Sequence, residues 1–154
     1  MGTNLNSPLN FKYYFTHAKH NFDMCEKIID INKKSKDSEF NDWVVTTAFY
    51  SGIHYIYAYC FKDKFEHNGK YYKDFDSYFE EVKGFFKGSR HRATCDLASE
   101  RMPFTCASSI EFLFKEARSA RYNNYKVSTK IAGDSHFKLL ALKIEAERKI
   151  TPEG

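Results

Sequence analysis

The chain has 154 residues with 24 Lys and Arg against 20 Asp and Glu, a formal net charge of +4. That length suits one domain with a core large enough to hold without staples, and 29% charged with 42% hydrophobic residues excludes a disordered tail or a fibre. A repeat array and a two-domain enzyme are excluded as well, while 27 aromatic residues against 20 Leu, Ile and Val make rings the main core material.

From Phe11 the apolar positions run 11, 14, 15, 18, 22, 25, 28 and 29, a helical stripe opposed by Lys12, Lys19, Asp23, Glu26 and Lys27. Ser35–Glu39 reads as a loop. Asn41 or Asp42 is expected to cap the next helix, which is placed from about Trp43 to Phe65 with Gly69 at its exit. Asn68-Gly69 separates helical patterns, so it is not read as a hairpin. Asp74 caps a shorter piece, Phe75 to Phe86, with Tyr78, Phe79, Val82 and Phe86 inward. Gly88-Ser89 breaks it, and Arg90 to Arg101 forms another helix stopped before Pro103. Thr105 or Ser108 opens an amphipathic segment carrying Ile110, Leu113, Phe114, Ala117 and Arg121. The last helix is placed after Gly133-Asp134, with Phe137, Leu140, Ala141 and Ile144 as its apolar, inward face. The expected fold is all-α, an up-down bundle of four or five helices in a single domain over 1–154. Its core spans about 11–148, with 1–9 and 149–154 expected to be flexible.

Trp43 to Phe61 carries no formal charge and approaches the roughly 20 residues that span a bilayer. Thr46, Thr47, Ser51, His54 and four tyrosines suit a buried bundle helix better than lipid, so no membrane is expected. Met1–Asn10 is polar and lacks the basic-then-apolar build of a signal peptide. Cys25, Cys60, Cys95 and Cys106 include no C-x-x-C pair and read as small buried hydrophobes in a cytoplasmic protein.

The densest basic patch is Lys87, Arg90, His91 and Arg92 around the Gly88-Ser89 break, a composition that suits phosphate at a helix start. A second set, Lys115, Arg118, Arg121, Lys126 and Lys130, is interleaved with Tyr122 and Tyr125, the mixture by which single-stranded RNA is often gripped. Ordinary solvated charge is the competing reading of both. His54 lies four residues after Tyr50, on one helix face, where a core role competes with a tunable acid–base one. His17, His20 and Asp23 have spacing that would seat a metal, but no second cluster completes a four-ligand site, so neither metal nor cofactor is expected. P-loop, G-x-G-x-x-G, H-E-x-x-H and G-x-S-x-G patterns are all missing.

Three patches, in order, resemble the HEPN domain superfamily. Trp43-Val-Val-Thr-Thr-Ala48-Phe49-Tyr50-Ser-Gly-Ile-His54, followed by Ala58, resembles that family's second helix. Ser89-Arg90-His91-Arg92 resembles the basic start of its next core helix, and Leu113 with Ala117-Arg118-Ser119-Ala120-Arg121-Tyr122 resembles its Ala-Arg-Tyr segment. Together they cover most of 43–144. The resemblance implies a dimerising helical bundle of toxin–antitoxin, CRISPR-linked or antiphage systems, often a metal-independent ribonuclease. In those enzymes an arginine holds the scissile phosphate and a histidine four to six residues later acts as acid or base. This chain departs from that motif, for no histidine follows Arg118 or Arg121 until His136, and none stands at the needed distance after Arg90 or Arg92.

Three readings stay open. The first is a module binding RNA or a nucleotide through Arg118, Arg121, Tyr122, Tyr50 and His54, or binding a cognate partner protein. The second is a ribonuclease with a displaced site, His91 as acid or base and Arg90 or Arg92 on the phosphate. The third is a structural bundle acting by dimerisation or protein contact. A homodimer is expected in each.

Overall fold

A computed structural model describes residues 9–35, 39–122 and 126–151. Among them lie six helices and one small hairpin: α1 (Leu9–Lys34), α2 (Asn41–Cys60), β1 (Phe65–His67), β2 (Lys70–Tyr72), α3 (Phe75–Val82), α4 (Arg90–Arg101), α5 (Phe104–Tyr122) and α6 (Thr129–Ile150). The fold is an all-α bundle. α2 is its axis, packed against α1, α4, α5 and α6. Contacts fix the directions. Ser51 Oγ donates to Ala18 O (2.8 Å) and the Cys25 thiol reaches Val44 O (3.6 Å), so α1 and α2 are antiparallel. Asn41 Nδ2 donates to Val127 O just before α6, while Lys149 Nζ donates to Tyr59 O, so α2 and α6 run parallel. Arg121 meets Tyr50 while Leu113 and Ile110 approach Gly52, so α5 runs against α2. The long helices therefore alternate up and down.

The axis explains itself. α2 buries residues on most of its circumference, among them Val44, Val45, Ala48, Ile53, Tyr55, Ile56 and Ala58, so its low amphipathicity reflects neighbours on nearly every side rather than lipid. No described helix is long and apolar enough to cross a membrane. Rings fill the end of the bundle near α3: Tyr57 stacks on Phe75 at 4.2 Å, and Phe65 meets Phe61 at 4.7 Å and Tyr78 at 4.9 Å. Two tyrosine tips there are bonded: Tyr14 Oη accepts the Phe75 amide (3.1 Å) and Tyr57 Oη bonds Thr94 Oγ1 (2.7 Å). All four cysteines are free and buried, and burial pushes the Cys25 thiol up to about 11.

Several local expectations are corrected. Neither Asn41 nor Asp42 caps α2, because Phe40 holds that position and Asn41 is spent on a buried bond from Asn32 (3.1 Å) and its own bond to Val127 O (3.0 Å). α2 ends at Cys60, and Phe65 begins a strand. Asn68 (φ 52°) and Gly69 (φ 78°) are both left-handed, the pattern of a type I′ hairpin turn joining β1 to β2. α3 stops at Val82, and α5 opens at Phe104 directly after Pro103, whose fixed φ suits a helix start. α6 begins at Thr129, with Ser128 Oγ accepting the Ile131 amide, so Gly133-Asp134 lie inside the helix. Its inner face is Ala132, Ser135, Leu139, Leu142 and Ala146, while Phe137 (70%) and Ile144 (53%) are exposed. The inward face expected for that helix is largely its outward one. The Asp74 cap (Ser77 amide, 2.7 Å), the Ser89 break and the Arg90–Arg101 bounds stand as expected.

Candidate functional site

Three helices converge on a groove of about 260 Å³. α2 supplies Thr46, Phe49 and Tyr50, the start of α4 supplies Ser89 and His91, and the last two turns of α5 supply Phe114, Ala117, Arg118, Arg121 and Tyr122. The sequence brings them here for separate reasons. Phe49 is core, one position before half-buried Tyr50 at the edge of α2. Ser89 ends the preceding turn and caps α4, its Oγ accepting the Arg92 amide at 3.1 Å. Arg118 and Arg121 are outward positions on a helix whose Leu113, Ala117 and Ala120 face in.

His91 sits in an aromatic box, its ring 5.0 Å from Phe49, 5.8 Å from Phe114 and 6.4 Å from Tyr50. Its Nδ1 is buried without a hydrogen-bond partner, which leaves Nε2 as the polar edge of the ring. A sealed N–H without an acceptor costs more than a sealed lone pair, so we assign the neutral proton to Nε2. Burial, reinforced by the charges of Arg121 and Arg90, holds His91 below the usual histidine range. The ring is therefore neutral near pH 7 and presents a donor.

Arg121 forms the groove's other wall. Both its terminal nitrogens donate to Tyr50 Oη, at 2.9 and 3.1 Å, and its guanidinium lies 5.8 Å from the ring centres of Tyr50 and Tyr122. The Tyr50 bond outweighs the cost of burial and secures its charge. Tyr122 is 76% exposed, an open ring face beside two arginines. Arg118 is exposed, with no ion-pair partner among the described residues, and it also lines a neighbouring concavity of about 500 Å³ with Arg92, Phe114 and Lys115. The groove also borders the start of α4 at Ser89, whose Oγ already accepts the Arg92 amide.

Of the eight residues assigned to binding or catalysis in the three readings, His91, Arg118, Arg121, Tyr122 and Tyr50 share this groove. The other three lie elsewhere. Arg90 turns away to pair with Asp76 and lies over Phe75 (5.0 Å) and Phe79 (5.2 Å). Arg92 covers Phe114 (5.0 Å) and pairs with Glu111 at 3.5 Å, on the side of the neighbouring concavity. His54 faces α1, its ring stacked on His17 at 5.3 Å and its Nδ1 donating to Tyr50 O at 2.8 Å. Tyr125 lies outside the described residues. His17, His20 and Asp23 form no metal-ligating group among the described residues. Sequence reasoning misses Phe49, Phe114 and Ser89 as groove residues, the first two because a ring at a core position carries no sign that its edge walls a cleft.

No known protein family, curated protein or solved structure matches this chain.

Proposed function

We propose that the chain is a HEPN-like helical module whose groove binds the phosphate and base of RNA or of a nucleotide, within a prokaryotic defence or toxin–antitoxin system. The biological setting comes from the sequence resemblance alone. The binding reading is supported by one observation above all: Arg118, Arg121 and His91 line one groove at the start of α4 beside the exposed ring of Tyr122. Guanidinium donors and a neutral imidazole donor match phosphate, and an exposed ring next to them matches a base.

The same geometry argues for binding ahead of cleavage. A histidine acting as general base presents a lone pair at one nitrogen while the other, protonated, is held by an acceptor. In His91 the buried nitrogen has no such acceptor. The ribonuclease reading keeps one supporting feature, the placement of His91 beside two arginines. The partner-protein reading is the third.

Fluorescence anisotropy with a labelled single-stranded RNA, and competition by ATP, in EDTA, separates them. The proposal expects saturable binding that weakens steeply with salt, an intact RNA, and a loss on the order of tenfold in Arg121→Ala. Metal-independent cleavage abolished in His91→Ala would replace it with the ribonuclease reading. No binding of either probe would leave a bundle working by protein contact.

A further inference from the structure

A second cavity, of about 580 Å³, opens between the hairpin, the end of α3 and α4, and it shares no residue with the groove of α2, α4 and α5. Strand register builds its first wall. His67 and Lys70 are cross-strand partners and Tyr72 stands two residues after Lys70, so all three lie on one face of the hairpin. Tyr78 packs edge-on against two of them, 5.2 Å from His67 and 5.9 Å from Tyr72. Phe85, 84% exposed, stands edge-to-face with Phe86 at 5.1 Å, and both line the cavity. From α4 come Asp96 and Glu100, four residues apart and so on one side of the helix.

This lining holds three carboxylates, Glu81, Asp96 and Glu100, against one lysine, in a chain whose net charge is +4. Lys70 is already occupied, its Nζ 2.7 Å from Glu81 Oε1 and 5.4 Å from the Tyr72 ring centre. One ammonium therefore sits here between a carboxylate and a ring. Asp96 and Glu100 have no such cation. Among the described residues neither forms a hydrogen bond or an ion pair. Arg101, next in the chain, turns instead to Glu66 O and to the Phe65 ring at 4.3 Å. Burial first, and then the charge of Glu100, hold the Asp96 carboxyl above the usual carboxylate range, against an opposing pull from His67. A desolvated carboxylate beside a like charge is stabilised by any cation that reaches it.

We propose that this cavity binds a linear di- or polyamine, its ammonium groups on Asp96 and Glu100 and its methylenes against the rings of Phe85 and Phe86. Ring walls suit an organic cation better than a metal ion, which takes a shell of oxygen ligands. No three His, Cys, Asp or Glu side chains are grouped to hold a metal among the described residues. Two unmatched carboxylates one turn apart favour a ligand with two charges close together over the single ammonium of a partner protein's lysine. The volume is that of an ordinary small-molecule site. The site stands apart from the basic groove, and neither needs the other to be occupied.

Isothermal titration calorimetry of the full chain with spermidine, at low salt and without RNA, tests this. One site is expected, with a dissociation constant on the order of 100 µM that rises with added salt. Asp96→Asn and Glu100→Gln each weaken binding about fivefold or more, and Phe85→Ala about two- to fivefold. Asp96→Asn unfolds at or above the wild-type temperature, because it removes a charge that the fold leaves without a partner. The amide of N-acetyl-lysine, with one ammonium, binds roughly tenfold more weakly than spermidine. No binding at about 5 mM spermidine, or an affinity unchanged in both carboxylate variants, overturns the site. A lowered unfolding temperature in Asp96→Asn overturns its premise of an unmatched charge. The lysine amide binding as tightly as spermidine overturns the polyamine assignment in favour of a partner's lysine.

Discussion

At the residue scale the groove turns on how each side chain is held. Arg121 is fixed by Tyr50 Oη and sandwiched near two rings, so its charge is presented with little freedom left to lose on binding. Removing the hydroxyl alone tests this. Tyr50→Phe is expected to weaken RNA binding about two- to tenfold, the net value of a hydrogen bond, by an effect smaller than that of Arg121→Ala. Anisotropy titrations of both variants decide the order, and equal effects would mean that Tyr50 contacts the ligand itself. Sequence alone marks Arg121 and Tyr122 as basic and aromatic neighbours. It pairs His91 with Arg90 and Arg92, adjacent in the chain, whereas folding pairs it with Arg118 and Arg121 from another helix. Successive residues on a helix point about 100° apart, which is why Arg90, His91 and Arg92 face three different neighbours.

At the element scale the bundle is set by close approaches along α2. A Cβ built on Gly52 would lie 2.9 Å from Leu142 Cδ1 and 3.3 Å from Leu113 Cδ1, so α5 and α6 pack closely on α2 at this glycine. Gly52→Val is expected to destabilise by about 1–3 kcal/mol through overpacking, read as a lowered urea midpoint at constant slope. Asn41 ties α1, α2 and the entry to α6 at once. Asn41→Ala strands the Asn32 amide and the Val127 carbonyl, and is expected to cost about 1–3 kcal/mol in the same measurement. Elements with strong local signals are legible in the chain: Asp74 and Ser89 as caps, and α4 from Arg90 to Arg101. The hairpin is not, because strands of three residues are too short to alternate. α6 is misfaced by its pattern because its large apolar residues outweigh the alanines and serine that actually meet the bundle. Shape complementarity between helices rewards small residues, and hydropathy periodicity does not register that.

At the scale of the whole molecule, two half-buried histidines couple stability to pH. Burial holds His91 and His54 below the usual range, aided by Arg121 and Arg90 for the first and by His17 for the second, against the opposing Tyr50 bond. The unfolded chain protonates near the ordinary value of about 6.5, before the folded one does. The stability these two neutral rings contribute is therefore complete above that pH and is lost as pH falls toward their folded values. Urea midpoints are expected to fall between about pH 7.5 and 5.5, with a shallower fall in His54→Gln. An anion in the groove acts oppositely on His91, since a bound phosphate favours the imidazolium and raises its pKa. That opposition gives the most direct test of the groove as a binding site. The ring resonances of the six histidines are followed by NMR against pH, with and without single-stranded RNA in EDTA. His91 is expected to titrate low in the free protein and to move upward on binding, while His54 is unaffected. A His91 curve that stays in place under saturating RNA would contradict it.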